Sequence, residues 1–361
     1  MSVPNRARFR SDARNWVPAC DGFEHVGRLD SHLDVGLSYF SVRRLQSKIT
    51  TINLLVLACA MLVVPGIAIG GSLANPCDDA LLAKIPPRQP SELTGSEFAR
   101  RVEGFSASER EDQIQSELLE GDLPPFLRRV APIAMTGEAP DGRSTTITVC
   151  VLTDYLAIGS DRDFLFIPMR LSTALKVAGS FGFTLPTKKI VDSIYDQAAV
   201  HLVPQPLPAS DEMRSTGYYC HHNQMIAEQR GELGVKPGAL TAGHKKDLVI
   251  TNRLWRFPDR VAIYGWHRAI DCPIQPLSTV HGARYADYSH GVRLVSTTIW
   301  VDGKAMSIFD ALADPQLASV LSGEGPVFRV SDLVKRLASL RLDLLPSYTK
   351  SISSSAMLSP M

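Results

Sequence analysis

Apolar residues along this chain follow two periods, and their order separates a helical middle from a strand-rich later half. Ile190, Ile194 and Ala198 recur at helical spacing, with Val191 and Tyr195 widening the face, so 187–198 reads as an amphipathic helix. A second helix is expected over 172–181, closed by Gly182, and a third over 215–229. Ser108 and Glu111 form a capping-box pattern for a polar helix ending at Gly121, ahead of Pro124 and Pro125. Leu118 and Leu119 give that helix only a thin apolar edge, which places it on the surface. Strands are expected at 133–136 and 145–152 around Asp141-Gly142, and at 164–169. Further strands follow at 248–251, 261–266 and 292–301, where Asp302-Gly303 turns the chain back into 305–309. A last helix is expected over 333–344. Helices in the middle of the chain and an antiparallel β-rich C-terminal half make the fold class α+β.

Domain limits follow from the same pattern. Residues 75–93 carry Pro76, Pro86, Pro87 and Pro90 and read as a stalk, so 75–125 is a Pro-rich stalk with a surface helix. Residues 126–345 form a single α+β domain, and 346–361 a flexible tail.

The run from Ile52 to Ile69 is almost wholly apolar, follows Arg43, Arg44 and Lys48, and precedes Asp78 and Asp79. As a helix it reaches about 27 Å, marginal for a bilayer core of roughly 30 Å. Pro65, Gly66, Gly70 and Gly71 weaken its far end, and Ser72-Leu73-Ala74 offers small residues for cleavage. Two readings stay open: a cleaved secretory signal, or a transmembrane helix that anchors the protein through 52–69. Both put the chain beyond residue 75 outside the cytoplasm, secreted, periplasmic or anchored. Residues 1–50 are a basic segment too long for a signal's leading region, and the true start is expected near Val42.

Composition changes little in this picture. Apolar content of 45% and charged content of 21% are those of a globular protein. A net charge of +1 gives no electrostatic reason for a nucleic-acid partner. Cys77, Cys150, Cys220 and Cys272 allow three disulfide pairings in an oxidising compartment, and none belongs to a CxxC pair.

Candidate chemistry concentrates in 218–293, which holds six of the nine histidines. The sharpest segment is 281–294. Gly282 and Gly291 follow His281 and His290, Ser289 precedes His290, Asp287 is placed to orient an imidazole, and Arg293 to hold an anion. His281-Gly282 followed by Ser289-His290-Gly291-Val292-Arg293-Leu294 resembles the signature of L,D-transpeptidases, secreted enzymes that cross-link peptidoglycan stem peptides. The family's motif carries a nucleophilic cysteine after the second glycine, where this chain has Val292. The resemblance therefore implies the compartment and substrate class but not the thiolate mechanism.

Two chemistries follow. In a metal-free version His281 or His290 acts as general base, with Ser289, Asp287 and Arg293 as the other catalytic groups. In a metal version His244, Asp247 and His267 ligate zinc and leave a position open for water. The expected function is a cell-envelope hydrolase acting on peptidoglycan or a related peptide polymer through a His-rich cleft. The alternative is a non-catalytic extracytoplasmic binding module with a degenerate transpeptidase-like loop.

Overall fold

The computed structural model describes residues 76–340. The segment 52–69, residues 1–50 and the tail 346–361 lie outside the described residues, and with them the choice between signal and anchor. Among the described residues no helix is long and apolar enough to cross a membrane, so the transmembrane helix expected from the sequence is not found there.

Two capping boxes open the first helices. Thr94 and Glu97 exchange side-chain to backbone hydrogen bonds at the start of α1 (Gly95–Arg101), and Ser106 and Glu109 do the same for α2 (Ala107–Glu120). The second box therefore lies two residues earlier than Ser108 and Glu111. Glu111 is taken instead by a tertiary contact, accepting from Arg170 N at 2.7 Å. Gly121 closes α2 at φ +99°, where a side chain would be strained. Ile114 and Leu118 are buried, so α2 packs inward rather than lying on the surface. The stalk is corrected too. Leu82 and Ile85 join the main core, Cys77 is disulfide-bonded to Cys150, and this stretch belongs to the same compact unit as everything after it.

β1 (Val130–Glu138) and β2 (Ser144–Leu152) pair antiparallel without a break, from Val130 opposite Leu152 to Glu138 opposite Ser144. A small hairpin of β3 (Ala157–Gly159) and β4 (Phe164–Phe166) follows. Next come α3 (Leu171–Phe181), ended by Gly182, the short β5 (Phe183–Thr184), and α4 (Lys188–Gln197), capped by Thr187. α4 buries Ile190, Val191, Ile194 and Tyr195, the face that its periodicity marks. β6 (Val200–His201) leads to α5 (Thr216–Glu232), capped by Ser215, and then to β7 (Thr241–Ala242), which lies parallel to β6.

The later half is built from β8 (Lys246–Leu248), the single turn α6 (Arg253–Arg256), β9 (Ile263–Ala269), β10 (Cys272–Ser278), β11 (His290–Gly291), β12 (Val295–Val301) and β13 (Lys304–Ser307). Three helices close it: α7 (Ile308–Ala313), α8 (Ala318–Leu321) and α9 (Val330–Ala338). One sheet runs β1-β2-β12-β13 with β5 against β12, and the other runs β10-β9-β8-β11. Pairing is antiparallel except between β8 and β11 and between β6 and β7. The fold is α+β, with helices in the middle and strands concentrated in the C-terminal half. In the second sheet β10 is an outer strand that carries Pro273 and Pro276. Its neighbour β9 takes a left-handed backbone at Gly265 and again at Trp266, with φ +106° and +58°.

Candidate functional site

Close approach of two strands builds the site. β11 lies beside β8 with His290 opposite Lys246 and Gly291 opposite Asp247, and Lys246 is opposite Gly265 on the other side. A Cβ on Gly291 would stand 2.6 Å from Lys245 Cβ and 2.7 Å from Tyr155 Cδ1, so only glycine permits this contact. The preceding loop is tied down along its length. Val261 N donates to His281 O, Ala283 N to Asp259 O and Tyr288 N to Met213 O, while Tyr219 Oη donates to Ala286 O at 3.0 Å.

Local hydrogen bonds organise the loop's own side chains. The His281 ring stacks on Tyr285 with centres 4.1 Å apart and planes within 8°. Tyr285 Oη donates to Asp287 Oδ2 at 2.9 Å, and Ser289 donates to Asp287 Oδ1 through both its hydroxyl (2.5 Å) and its N–H (2.8 Å). Burial opposes the charge on Asp287, yet His290, Lys246 and the Ser289 bonds outweigh it and hold the carboxyl down to about 2. Burial pushes His290 down to about 4 despite Asp287, so this imidazole is neutral at neutral pH. His290 Nε2 is 3.9 Å from Asp287 Oδ2, too far for a hydrogen bond, and neither ring nitrogen has a partner among the described residues. Burial also lowers the pKa of the half-buried His281, with Asp287 opposing and Lys246 and Arg260 reinforcing. Lys246 reaches across β9 and places its ammonium 4.7 Å from the centre of the Trp266 ring.

Behind this loop lies a second layer. Lys245 Nζ donates to Tyr288 O at 2.6 Å and to His222 Nδ1 at 3.0 Å, and burial brings the amine down to about 7. His222 and Trp266 pack around Tyr288, and both His222 Nε2 and Trp266 Nε1 are buried without a partner among the described residues. Unpaired buried donors and acceptors of this kind are uncommon in a folded interior.

Of the residues that the sequence singles out, His281, Asp287, Ser289 and His290 come together, whereas four go elsewhere. Arg293 is fully buried, donates to Leu152 O and Thr241 O, and lies 4.3 Å from the Tyr155 ring centre; its guanidinium ties the end of β2 to β7 rather than holding an anion. His244 Nε2 sits 3.2 Å from Asp154 Oδ1, and Asp154 also takes Arg230 at 2.6 Å. Asp247 accepts from Tyr155 Oη at 2.8 Å, and burial pushes it up to about 6 against Arg293 and that bond. His267 Nε2 pairs with Asp192 at 3.1 Å, beside Tyr264 and the stacked Tyr195. The expected zinc ligands His244, Asp247 and His267 thus have separate partners, and among the described residues no three His, Cys, Asp or Glu groups form a metal-binding set. These three side chains do not fit a zinc site.

Ser289 is fully enclosed and its hydroxyl is held by Asp287, so it positions that carboxylate rather than meeting a substrate. Of the cysteines, Cys77 pairs with Cys150 and Cys220 is free, with burial raising its thiol pKa. Sequence reasoning misses Tyr285, Lys246 and His222 as members of the cluster. Two lysines, separated only by Asp247 from the apolar run Leu248-Val249-Ile250, are the one signal that points to buried amines. Comparison with known proteins finds no matching family model, no matching curated protein and no matching solved structure.

Proposed function

We propose that this chain is an extracytoplasmic hydrolase that cleaves a peptide of the cell envelope, with His281 as the general base. One observation carries the reading. His281 is the partly exposed imidazole of the cluster, and it is stacked on a phenol that is itself hydrogen-bonded to a carboxylate fixed by Ser289. A ring held in this way keeps a constant orientation, and its lowered pKa leaves it neutral and able to take a proton from water at neutral pH. Tyr285, Asp287 and Ser289 act through His281 by orienting it, and Lys246 supplies positive charge beside it. The Cys77–Cys150 disulfide supports an oxidising compartment. The test is release of soluble fragments from purified peptidoglycan. His281→Ala is expected to lower turnover by about 10²–10⁴-fold, the usual contribution of a positioned base. Equal turnover in the variant excludes His281 from that role.

A second reading, a binding module, is favoured by the enclosure of Ser289, which leaves the loop no accessible hydroxyl nucleophile. It expects binding to the same polymer with no turnover in either protein.

A further inference from the structure

Away from the site, three apolar side chains project from segments that are pinned to one another. Phe257, Val280 and Phe328 are 43%, 70% and 68% exposed. Phe257 ends the single turn α6, Val280 follows β10, and Phe328 lies just ahead of α9. Trp255 Nε1 donates to Phe328 O at 2.6 Å, and Phe328 N donates to Asn252 Oδ1 at 2.9 Å. Arg260 ties the other two, donating from its backbone N–H to Phe257 O and from its guanidinium to Val280 O at 2.7 Å. One exposed apolar residue needs no explanation, but three on tied segments make a patch.

Charge around this patch is lopsided. Arg253, Arg256 and Arg336 are exposed and form no ion pair among the described residues. The Arg256 guanidinium lies 5.7 Å from the Phe257 ring centre, and that of Arg336 lies 5.9 Å from the Trp255 ring centre. The nearby carboxylates are engaged: Asp259 and Asp332 pair with Arg260 and Arg329, and Glu324 accepts from the Thr251 hydroxyl and Asn252 N.

We infer that this surface docks on an anionic phospholipid bilayer, with Phe257, Val280 and Phe328 entering the interface and Arg253, Arg256 and Arg336 meeting lipid phosphates. A guanidinium beside an aromatic ring joins an apolar body, suited to the acyl boundary, to a fork that fits phosphate. Projecting apolar tips ringed by unpaired cations complement a fluid, negatively charged surface. Nucleic acid, the other polyanion, offers no apolar layer to Val280 and Phe328. A second copy docked here about a two-fold axis would bring the same arginines against one another. Docking of this kind stands or falls separately from the hydrolase reading.

The experiment is co-sedimentation with vesicles of phosphatidylcholine, with and without phosphatidylglycerol. The run 52–69 is apolar enough to bind lipid by itself, so the protein used is the compact unit Asn75–Met361, which carries its own core and disulfide. It is expected to bind the anionic vesicles and not the neutral ones. Phe328→Ser should weaken that binding by about tenfold, from apolar surface no longer buried. Arg256→Gln and Arg336→Gln should weaken it by about fivefold each. Thermal midpoints should stay at the wild-type value, which separates loss of lipid from loss of fold, and Val280→Ser repeats the test on another segment. No binding to anionic vesicles, equal binding to both kinds, or affinity unchanged in these variants overturns the inference. A dimer that Phe328→Ser dissolves, formed without lipid binding, overturns it in favour of a second copy.

Discussion

Replacing Lys245 with methionine tests the electrostatics behind the site directly. Its amine is 1% exposed, enclosed by Tyr288 O and His222 Nδ1. Burial, opposed by Asp287 and Asp154, takes it from 10.5 to about 7. In the unfolded chain the amine keeps its ordinary value, so between these limits the unfolded state binds a proton that the native state does not. Stability therefore rises with pH across this window: the contribution is complete above 10.5 and is lost as pH falls toward 7. Between pH 6 and pH 9 the linkage amounts to about 3 kcal/mol. Other groups that titrate near this range, Asp247 at about 6 among them, are present in both proteins and cancel in the difference between them. The assay is urea unfolding of both proteins at each pH, with the difference in stability followed as a function of pH. Any constant offset from lost hydrogen bonds cancels, and the difference should move by about 3 kcal/mol in favour of the wild type from pH 6 to pH 9. Parallel stability curves would show that Lys245 is charged and compensated in the native state, and the reasoning would fail.

Gly291→Ala should destabilise the fold by about 1–3 kcal/mol, because the new methyl meets Lys245 Cβ at 2.6 Å and the Tyr155 ring at 2.7 Å. Thermal unfolding reads this out, and an unchanged midpoint counts against the close approach. Cys77→Ser releases a staple spanning 73 residues and should cost about 2–5 kcal/mol. Wild type treated with reductant should lose at least as much, because Cys272 is disulfide-bonded as well, and equal stability with and without reductant refutes the bond's role. If turnover on peptidoglycan is found, kcat/KM should rise with pH through a value below the ordinary histidine value of 6.5, since burial lowers His281. An acid limb above 6.5 points to a different base.

Sequence legibility follows the range of the contacts. α3 and α4 are readable because their period, their caps and their buried faces agree, as at Thr187, Ile190 and Ile194. α2 is placed correctly but its capping box is not. Ser106 with Glu109 and Ser108 with Glu111 satisfy the same local rule, and the tertiary bond from Arg170 to Glu111 decides between them. Prolines suggest a stalk over 75–93 and conceal that Leu82 and Ile85 pack into the core. The cluster of His281, Asp287, Ser289 and His290 is legible because its contacts lie within a few residues of one another. Lys246, His222 and Trp266 are not, because the parallel register of β8 with β11 and the left-handed turn at Trp266 bring them in. His244 and Asp247 look like a ligand pair in sequence, but they meet different partners, Asp154 and Tyr155.

β10 has a consequence for how this molecule behaves in company. A proline has no N–H to offer, so at Pro273 and Pro276 the rim of the second sheet lacks the donors a visiting strand needs. The rim is thus shielded against edgewise growth into fibrils.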